Sequence, residues 1–473
     1  MSEQQAESSH LSRWRVNSPL VQVLATCLVV FLVPGMNSTL LLLGAGGGRP
    51  EHIEIVDKTN VVGASVTVVA GLFGGPITNK IGPKWTLMIA ASSYPVWSGS
   101  LWWLDHTGGV GVTFAYIAGL FHGIGAGLFY AATGFVISSY STESDRGRYI
   151  ASFWAAGAAG SLASAVTVFG VTLSSGPQRT RLPTSVFIVI IAVQAVGVLC
   201  TALLVSPSTI KRNDGRSIAR FKASTWTGDV KAMLRNIFTR KLLLLAPAFI
   251  ASQTFMSFMG SLNGFYFDSR TRTLNNVIYW TSALISWGFI AFLCDSKLIG
   301  RRRARALIAA GVVASCLVAV WTAVIWFLIS HPIDRHKKPL GTDWTNTLKA
   351  VPLLVIWVFM GGSWAMFQGY IVWVVGTFSN EPTKLSHFSG FAESMRALGF
   401  AIAFGIDSYK VAFLSEAGAY FALYMVGLIC AALSAARYTT DCYYGKEELV
   451  VVPKSFDKVI GGSLPESGSI ESL

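Results

Sequence analysis

The sequence predicts an all-α, polytopic membrane protein with twelve transmembrane helices in two pseudo-symmetric six-helix bundles. Composition is the first observation behind this prediction: of 473 residues, 52% are hydrophobic and only 13% are charged, with a mean hydropathy of +0.53. Soluble domains carry about 25% charged residues, so this chain has more apolar surface than a soluble core needs. Long uncharged stretches and an internal repeat are the other two observations.

Eleven stretches of at least twenty positions contain no Asp, Glu, Lys or Arg. A helix that crosses the hydrocarbon core needs roughly 20 apolar residues, so each stretch is long enough to span. The stretches are 16–48, 59–79, 85–104, 106–142, 149–178, 182–210, 242–267, 273–294, 306–333, 350–380 and 417–436.

A twelfth span is predicted at 385–406, which is apolar except for Glu393 and Arg396. It is counted as span 11, and it makes the number of spans even. The predicted organisation is a tail at 1–17, a first bundle at 18–205, a linker at 206–241, a second bundle at 242–438 and a tail at 439–473. The N-terminal tail is too polar for a cleaved signal, so span 1 is expected to act as its own insertion signal.

The distribution of basic residues predicts the orientation. Loops on the side of the N-terminus carry 25 Lys and Arg, and the opposite loops carry 11. Because cytoplasmic loops are enriched in Lys and Arg, both termini and the linker are expected in the cytoplasm. No sorting signal stands out, so the plasma membrane and the endomembranes both stay open.

Charge and motifs exclude several functions. The net charge of +13 comes from basic residues spread through short loops, which predicts no nucleic-acid partner. No P-loop, HExxH helix or CxxC pair is present, and the histidines lack ligand spacing. We therefore expect no enzyme activity, no metal and no cofactor.

An internal repeat relates the two halves. The turn after span 2, GGPITNKIGPKW, matches the turn after span 8, so that Asn79 corresponds to Asp295 and Gly82 to Gly300. A constant offset of 238 also matches the two halves across a helix, a loop and the next helix: it places Phe129 on Phe367, Glu143 on Glu381 and Phe153 on Phe391. Parallel repeats of this kind are expected in transporters that are built from two related bundles.

The first of these turns resembles the signature of the major facilitator superfamily. It carries Lys80, Gly82 and Lys84, but it has Asn79 where the family has Asp and Pro83 where the family usually has Arg. The charge relay that closes the cytoplasmic gate in the family is therefore in doubt at this turn. The second turn keeps its acid, Asp295.

Longer strings resemble one branch, the fungal and plant-type Unc-ninety-three-like proteins. These strings are PGMNSTLLLLGAGGG at 34–48, YPVWSGSLWW at 94–103, GIGAGLFYAATGFVISSYSTESDRGRYIASFW at 123–154 and SRTRTLNNVIYW at 269–280. They cover both halves of the chain. The resemblance implies the facilitator fold, and some members of this family are regarded as regulatory subunits of potassium channels or as escorts of receptors.

Glu393 and Arg396 are the strongest candidates for a central site. Each charge near the middle of the bilayer costs about 2.5–3.5 kcal/mol, and spacing i, i+3 puts both on one helical face. That face is expected to look into the bundle. The alternative is a self-neutralised pair that fixes span 11 against span 7 or 8.

Other polar groups are predicted at membrane depth. Pro34 and Gly35 interrupt span 1 just before Asn37, as in broken helices that line transporter sites, although a plain packing kink is nearly as plausible. The remaining cavity candidates lie on spans 4, 7 and 10, and each is open to a packing role. They are His122, Tyr130, Gln253, Asn263, Trp364 and Gln368.

Charged and polar residues in the turns on the linker side predict a cytoplasmic gate. Exposed pairs contribute only about 0–1 kcal/mol, but a gate needs only a modest bias between two states. The candidates are Asn79, Lys80, Gly82, Lys84, Glu143, Arg146, Arg148, Asp295, Arg301, Arg302, Glu381 and Lys384.

Two functions remain open on the sequence. The first is a secondary transporter that moves a small solute or ion by alternating access within the lipid bilayer. The second, implied by the family resemblance, is a non-transporting regulatory subunit or escort of a partner membrane protein such as an ion channel.

Overall fold

The computed structural model of the chain describes residues 12, 14–43, 52–142, 145–174, 183–218, 225–337, 339–442, 447 and 450–451. Nine helical segments in this part of the chain are long and apolar enough to cross a membrane. One of them, Ile53–Tyr140, has 88 residues and contains two breaks. A further helix, Pro382–Ser408, carries the charges predicted for span 11.

The helices are numbered in chain order. Before the linker they are α1 (Pro19–Leu42), α2 (53–81), α3 (83–107), α4 (Val112–Tyr140), α5 (Arg146–Ser174) and α6 (Thr184–Cys200). The linker contains α7 (Trp226–Ile237). After it come α8 (Arg240–Tyr266), α9 (Ser269–Asp295), α10 (Arg302–Ser330), α11 (Thr347–Gly376), α12 (Pro382–Ser408) and α13 (Phe413–Tyr438). Each predicted span thus has a helix.

Gly82 separates α2 from α3. Its φ of 82° lies in the left-handed region that favours glycine, and Pro83 then occupies the first position of α3. The Thr86 hydroxyl donates to the Gly82 carbonyl at 2.8 Å and closes the turn. The predicted turn after span 2 is therefore a sharp reversal that depends on one glycine.

Helix α1 is widened rather than broken at its predicted interruption. Phe31–Gly35 form a π-helical turn around Pro34, and α-helix resumes at Met36. The Ser161 hydroxyl of α5 donates to the Gly35 carbonyl at 2.9 Å, and the Thr39 hydroxyl donates to the Ser161 carbonyl at 2.9 Å. Helix α5 thus supplies hydrogen-bond partners at the widened turn.

Buried apolar side chains fall into clusters that follow the two halves of the chain. The largest is drawn mostly from the helices after the linker, and two smaller ones come from the helices before it. Many large apolar side chains face outward instead, among them Ile285, Trp326 and Val426, which are more than half exposed. Such a surface suits lipid, because lipid tails impose no penalty on apolar groups.

The halves meet along two pairs of helices, α2 with α12 and α5 with α9. The linker helix α7 packs across one end of this interface, against α12 and against the α2–α3 region. We call that end the linker end and the opposite one the distal end. Helix α7 has its apolar Met233 and Ile237 buried, so its apolar face lies on the protein.

Small residues permit the closest helix contacts. A Cβ atom added at Gly399 of α12 would lie 1.9 Å from the carbonyl oxygen of Ile250 in α8. At Gly160 of α5, an added Cβ would lie 2.2 Å from the carbonyl oxygen of Phe31 in α1. Bundles in lipid are held by such close backbone approach.

We expect Gly399→Ala to destabilise the protein, because the added methyl group overlaps the Ile250 carbonyl and over-packing costs about 1–3 kcal/mol. Gly405→Ala is the matched control, since it lies on the same helix with nothing within 4 Å of an added Cβ. The measurement is the thermal unfolding midpoint in detergent. Equal midpoints for the two variants would contradict the close packing of α8 and α12.

Candidate functional site

A cavity of about 170 Å³ lies between the two halves, bounded by helices from each. Seven of the predicted cavity residues line it: Asn37, His122, Tyr130, Gln253, Trp364, Glu393 and Arg396. The widened turn of α1 contributes Pro34 and Gly35. The sequence candidates therefore converge on one space.

Glu393 and Arg396 form an ion pair on the cavity wall. Nε and Nη2 of Arg396 lie 2.9 and 2.6 Å from Oε2 of Glu393, and both residues are less than 8% exposed. Spacing i, i+3 on α12 brings them together, as predicted. A buried charge that kept no partner would be strongly destabilising, so the pair neutralises itself.

Two aromatic rings from the first half of the chain contact the guanidinium group of Arg396. Its guanidinium carbon lies 5.6 Å from the ring centre of Tyr130 and 5.3 Å from that of Trp154. Trp154 also stacks on Trp287 at 5.6 Å. Cation–π contacts therefore tie the pair to α4 and α5, whereas the packing alternative placed it against span 7 or 8.

Among the buried polar atoms of the cavity wall that have no hydrogen-bond partner in the described residues are Oδ1 of Asn37 and Nδ1 of His122. The His122 ring stacks on Trp97 with 5.6 Å between ring centres, which fixes its plane. Buried polar groups normally find partners. These two atoms are available to a solute or to water.

Asn263 and Gln368 do not line the cavity. The Asn263 amide donates to the carbonyls of Leu42 and Arg272 and accepts from Asn275, so it joins α1 to α8 and α9 at the distal end. Gln368 is fully buried in α11, and neither of its amide atoms has a partner within the described chain. The packing role considered for Asn263 matches these contacts.

Contacts between the halves close the distal end. Arg272 of α9 donates to the carbonyl of Leu43 just after α1, beside the Asn263–Leu42 bond. The Phe169 ring of α5 lies 5.6 Å from the ring of Trp344, which precedes α11. The cavity is therefore covered on this side.

Arg146 closes the linker end. It is buried at the start of α5 and donates to the carbonyls of Gly376 and Ser379 and to Oδ1 of Asn380, all at the end of α11. Charged donors on carbonyl oxygens make strong bonds. The predicted partner of Arg146, Glu143, lies outside the described residues.

Four further gate candidates make contacts at the linker end. Oδ2 of Asp295 accepts from the backbone N–H of Arg148 at 2.8 Å, so the acid of the second turn contacts α5 of the other half. Glu381 and Lys384 pair at 2.7 Å, as their spacing predicts. Lys384 also lies 3.5 Å from Glu447 of the C-terminal tail.

The other gate candidates have local roles. Lys84 donates to the carbonyl of Ala202, and Lys80 is exposed. Arg301 precedes α10, and the backbone N–H of Arg302 donates to Asp441. These contacts lie within one half or reach the C-terminal tail.

Asn79 has an acidic partner from outside the turn. Its amide nitrogen lies 3.2 Å from Oδ2 of Asp229 in α7, and its oxygen accepts from the Ser386 hydroxyl of α12 at 3.1 Å. Oδ1 of Asp229 lies 3.2 Å from Nε2 of His387. The carboxylate missing from the turn is thus present in space, supplied by the linker helix.

The surroundings of Asp229 favour its charged form. Burial opposes ionisation, but hydrogen bonding with His387 and Asn79 and the charge of His387 outweigh it, so the pKa of Asp229 lies below its usual value. Helix α7 is outside the predicted spans. Asp229 was not among the predicted gate residues, because no local pattern in the linker pairs it with the α2–α3 turn.

A second charged group was also missed. Arg335 pairs with Asp407 and Glu416 at the distal end, and all three are buried. Their positions at or beyond the ends of uncharged stretches made them look like loop charges. The sequence did contain one signal for this group: two acids, Asp407 and Glu416, lie on either side of the short turn between α12 and α13.

Comparison with known proteins identifies the family. The sequence model described as "Ion channel regulatory protein UNC-93" matches residues 61–406. An uncharacterised membrane protein of Schizosaccharomyces pombe is 31% identical over 425 residues, 90% of this chain and 84% of its own length. The chain belongs to the UNC-93 family. UNC93-like protein 1 of Arabidopsis thaliana is also 31% identical, over 86% of this chain and 87% of its own length.

Solved structures identify the fold of this UNC-93 family member. A D-xylose–proton symporter superimposes with a TM-score of 0.59 at 15% identity, covering 89% of this chain and 97% of that one. The Escherichia coli fucose–proton symporter gives 0.56 at 10% identity, covering 88% and 99%. The major facilitator fold is therefore confirmed. The family model is described as one of ion channel regulatory proteins, and the likeness to the symporters concerns the fold alone.

We expect Asp229→Asn to loosen α7, because the variant loses a charge-assisted contact worth about 1.5–3 kcal/mol. Backbone amides of 226–237 should then exchange with deuterium about tenfold faster. Lys231→Gln is the control, since Lys231 lies on the exposed face of the same helix. Unchanged exchange in Asp229→Asn would show that the contact does not hold the helix.

Proposed function

We propose that this UNC-93 family protein is a secondary transporter that moves a small solute or ion by alternating access. The observation that carries the proposal is the cavity between the halves, which contains the Glu393–Arg396 pair and is covered at both ends. A cavity that opens to one side at a time needs contacts of this kind at each end. In the proposed cycle, the arrangement described here would be a step in which the contacts at both ends are made.

The cavity wall supports binding of a specific solute. Aromatic rings form much of the wall, and Asn37, His122 and Gln253 add polar groups to it. Sites for small molecules combine apolar walls with a few placed polar groups. Glu393 and Arg396 are the groups proposed to respond to the solute, because a charged or polar ligand competes for the partner that each now has.

Transport uphill would need an ion gradient or the membrane potential, since the sequence has no nucleotide-binding motif. The potential is worth roughly 2.3 kcal/mol per charge per 100 mV. The proposed moving bodies are the two predicted bundles, 18–205 and 242–438. The linker at 206–241 joins them, and its helix α7 contacts both α2 and α12 through Asn79 and His387.

A regulatory or escort role is the second candidate. The description of the matching family as an ion channel regulatory protein favours it, and a partner membrane protein would then be required. Such a role would use the apolar outer surface, where small residues admit a partner helix. It would not need the cavity, so transport measurements separate the two candidates.

We propose that the linker end faces the cytoplasm, because the loops on that side carry 25 of the Lys and Arg residues. Epitope tags at the N-terminus and inside the linker should therefore both lie in the cytosol. Added antibodies are expected to reach them only after the plasma membrane has been permeabilised. The measurement is selective permeabilisation of cells. Opposite accessibility of the two tags would show that the span count of the first half is wrong.

We expect purified protein in liposomes to accumulate at least one small solute from a cell-extract mixture, read out by mass spectrometry against empty liposomes. Glu393→Gln should reduce this accumulation at least about tenfold, because removing one partner of a buried ion pair costs about 3–5 kcal/mol. Glu54→Gln, which alters an exposed pair with Lys58, is the control.

Two outcomes of this assay would count against the proposal. Equal accumulation by Glu393→Gln would remove Glu393 from the mechanism. No solute enriched above empty liposomes would contradict transport and favour the regulatory candidate.

A further inference from the structure

A second buried charge cluster lies at the distal end, away from the cavity. Arg335, in the segment between α10 and α11, contacts Asp407 at the end of α12, and its Nη1 lies 2.8 Å from Oε1 of Glu416 in the first turn of α13. The Ser261 hydroxyl of α8 also donates to Asp407. Side chains of Arg335, Asp407 and Glu416 are at most 7% exposed.

Asp57 of α2 completes the cluster from the other half of the chain. It is 5% exposed and lies within electrostatic range of Asp407, Arg335 and Glu416. We call these four residues the distal acid cluster. Three carboxyl groups thus share one guanidinium, so two negative charges would be uncompensated if all three were ionised.

The cluster also contains unused hydrogen-bonding atoms. Oε2 of Glu416 has no partner within the described chain, and neither has the Tyr420 hydroxyl, one turn further along α13. Glu416 is 2% exposed and Tyr420 is 3% exposed. Tyr420 lies within electrostatic range of Glu416 and Asp407, so the free hydroxyl is at the cluster. Buried polar atoms normally have partners, so these two atoms are available to water or to a protonated neighbour.

A proton satisfies this arrangement better than a metal ion. Carboxylates forced together in a buried site cannot all ionise, and one of them then keeps a proton. In the described part of the chain, no group of three or more His, Cys, Asp or Glu side chains is arranged to hold a metal ion. A protonated Glu416 or Asp57 can donate a hydrogen bond to a neighbouring carboxylate and reduce the net charge by one.

We propose that the distal acid cluster binds one proton while the distal ends of the two halves are together, and releases it to the distal side when they separate. The reason is that the cluster contains residues from both halves of the chain. Asp57 belongs to the first half, and Arg335, Asp407 and Glu416 belong to the second. Separation would put Asp57 into water, where an isolated carboxyl ionises at neutral pH, and would leave two carboxylates with Arg335.

This inference adds a coupling ion to the proposed transport cycle, but it needs no solute. Proton binding would favour distal closure, and proton loss would favour distal opening, so the two equilibria are linked. The other titratable groups near the cluster are Tyr420 of α13, Glu54 and Lys58 of α2, Tyr116 of α4, and Tyr409 and Lys410 of the α12–α13 turn. Glu54 and Lys58 pair with each other at 2.6 Å.

The test is a pH titration of the distal opening in purified full-length protein without solute. Thr113 of α4 and Leu348 of α11 are both exposed at the distal end. Spin labels at these two positions report the distance between the halves in pulsed electron paramagnetic resonance. We expect a short distance at low pH and a growing population of a longer one as the pH rises. Asp57→Asn and Glu416→Gln mimic the protonated acids, so each should lose the transition or move its midpoint by about one pH unit or more.

Controls separate this inference from the proposed function. Glu54→Gln should move the midpoint much less than Asp57→Asn does, because Glu54 is paired with Lys58 at the surface and is the weakest of the charges that act on Asp57. The titration contains no solute, so its outcome does not depend on whether the liposome assay finds transport. The inference is overturned if the distance does not change with pH, if both cluster variants titrate as the wild type does, or if sodium at constant pH moves the distance.

Discussion

The ion pair between Glu393 and Arg396 is the interaction on which the centre of this protein depends. A charge in a bilayer-spanning helix is tolerated only when it faces the bundle interior and has a partner. Here each supplies the partner of the other, and the rings of Tyr130 and Trp154 from the opposite half cover the guanidinium. The pair therefore determines which face of α12 looks inward, and the cavity forms where that face meets α4 and α5.

The same constraint governs the two ends of the interface between the halves. Two charged side chains at the linker end, Arg146 and Asp295, bind backbone groups of the opposite half, and Asp229 approaches Asn79 and His387 from the linker helix. The linker thereby contributes the acid that the α2–α3 turn lacks. At the distal end, Arg335 joins acids of two helices of one half, and Asp57 approaches from the other half.

Much of this fold follows from the sequence because lipid leaves few options. Uncharged stretches of spanning length predicted eleven of the long helices, and α12 was predicted as span 11 despite Glu393 and Arg396. The burial of residues just outside those stretches was harder to predict. Asp57 and Glu416 each lie one or two positions before an uncharged stretch, and both are buried. Asp229 is separated from Asn79 by 150 positions, and no local pattern predicts their contact. Gln368 and Asn263 show the opposite case, in which a membrane-depth amide lies away from the cavity.

Alternating access is the central claim, and locking one end at a time tests it most directly. Cysteines at Asn79 and Ser386, joined by a bifunctional thiol reagent, would lock the linker end, and cysteines at Phe169 and Trp344, joined in the same way, would lock the distal end. Single-molecule fluorescence transfer then reports the distance across the end that is not locked. The account predicts that either lock leaves the other end able to open, and that both ends are never open together in the unlocked protein. An unlocked end that stays closed, or simultaneous opening of both, would contradict it.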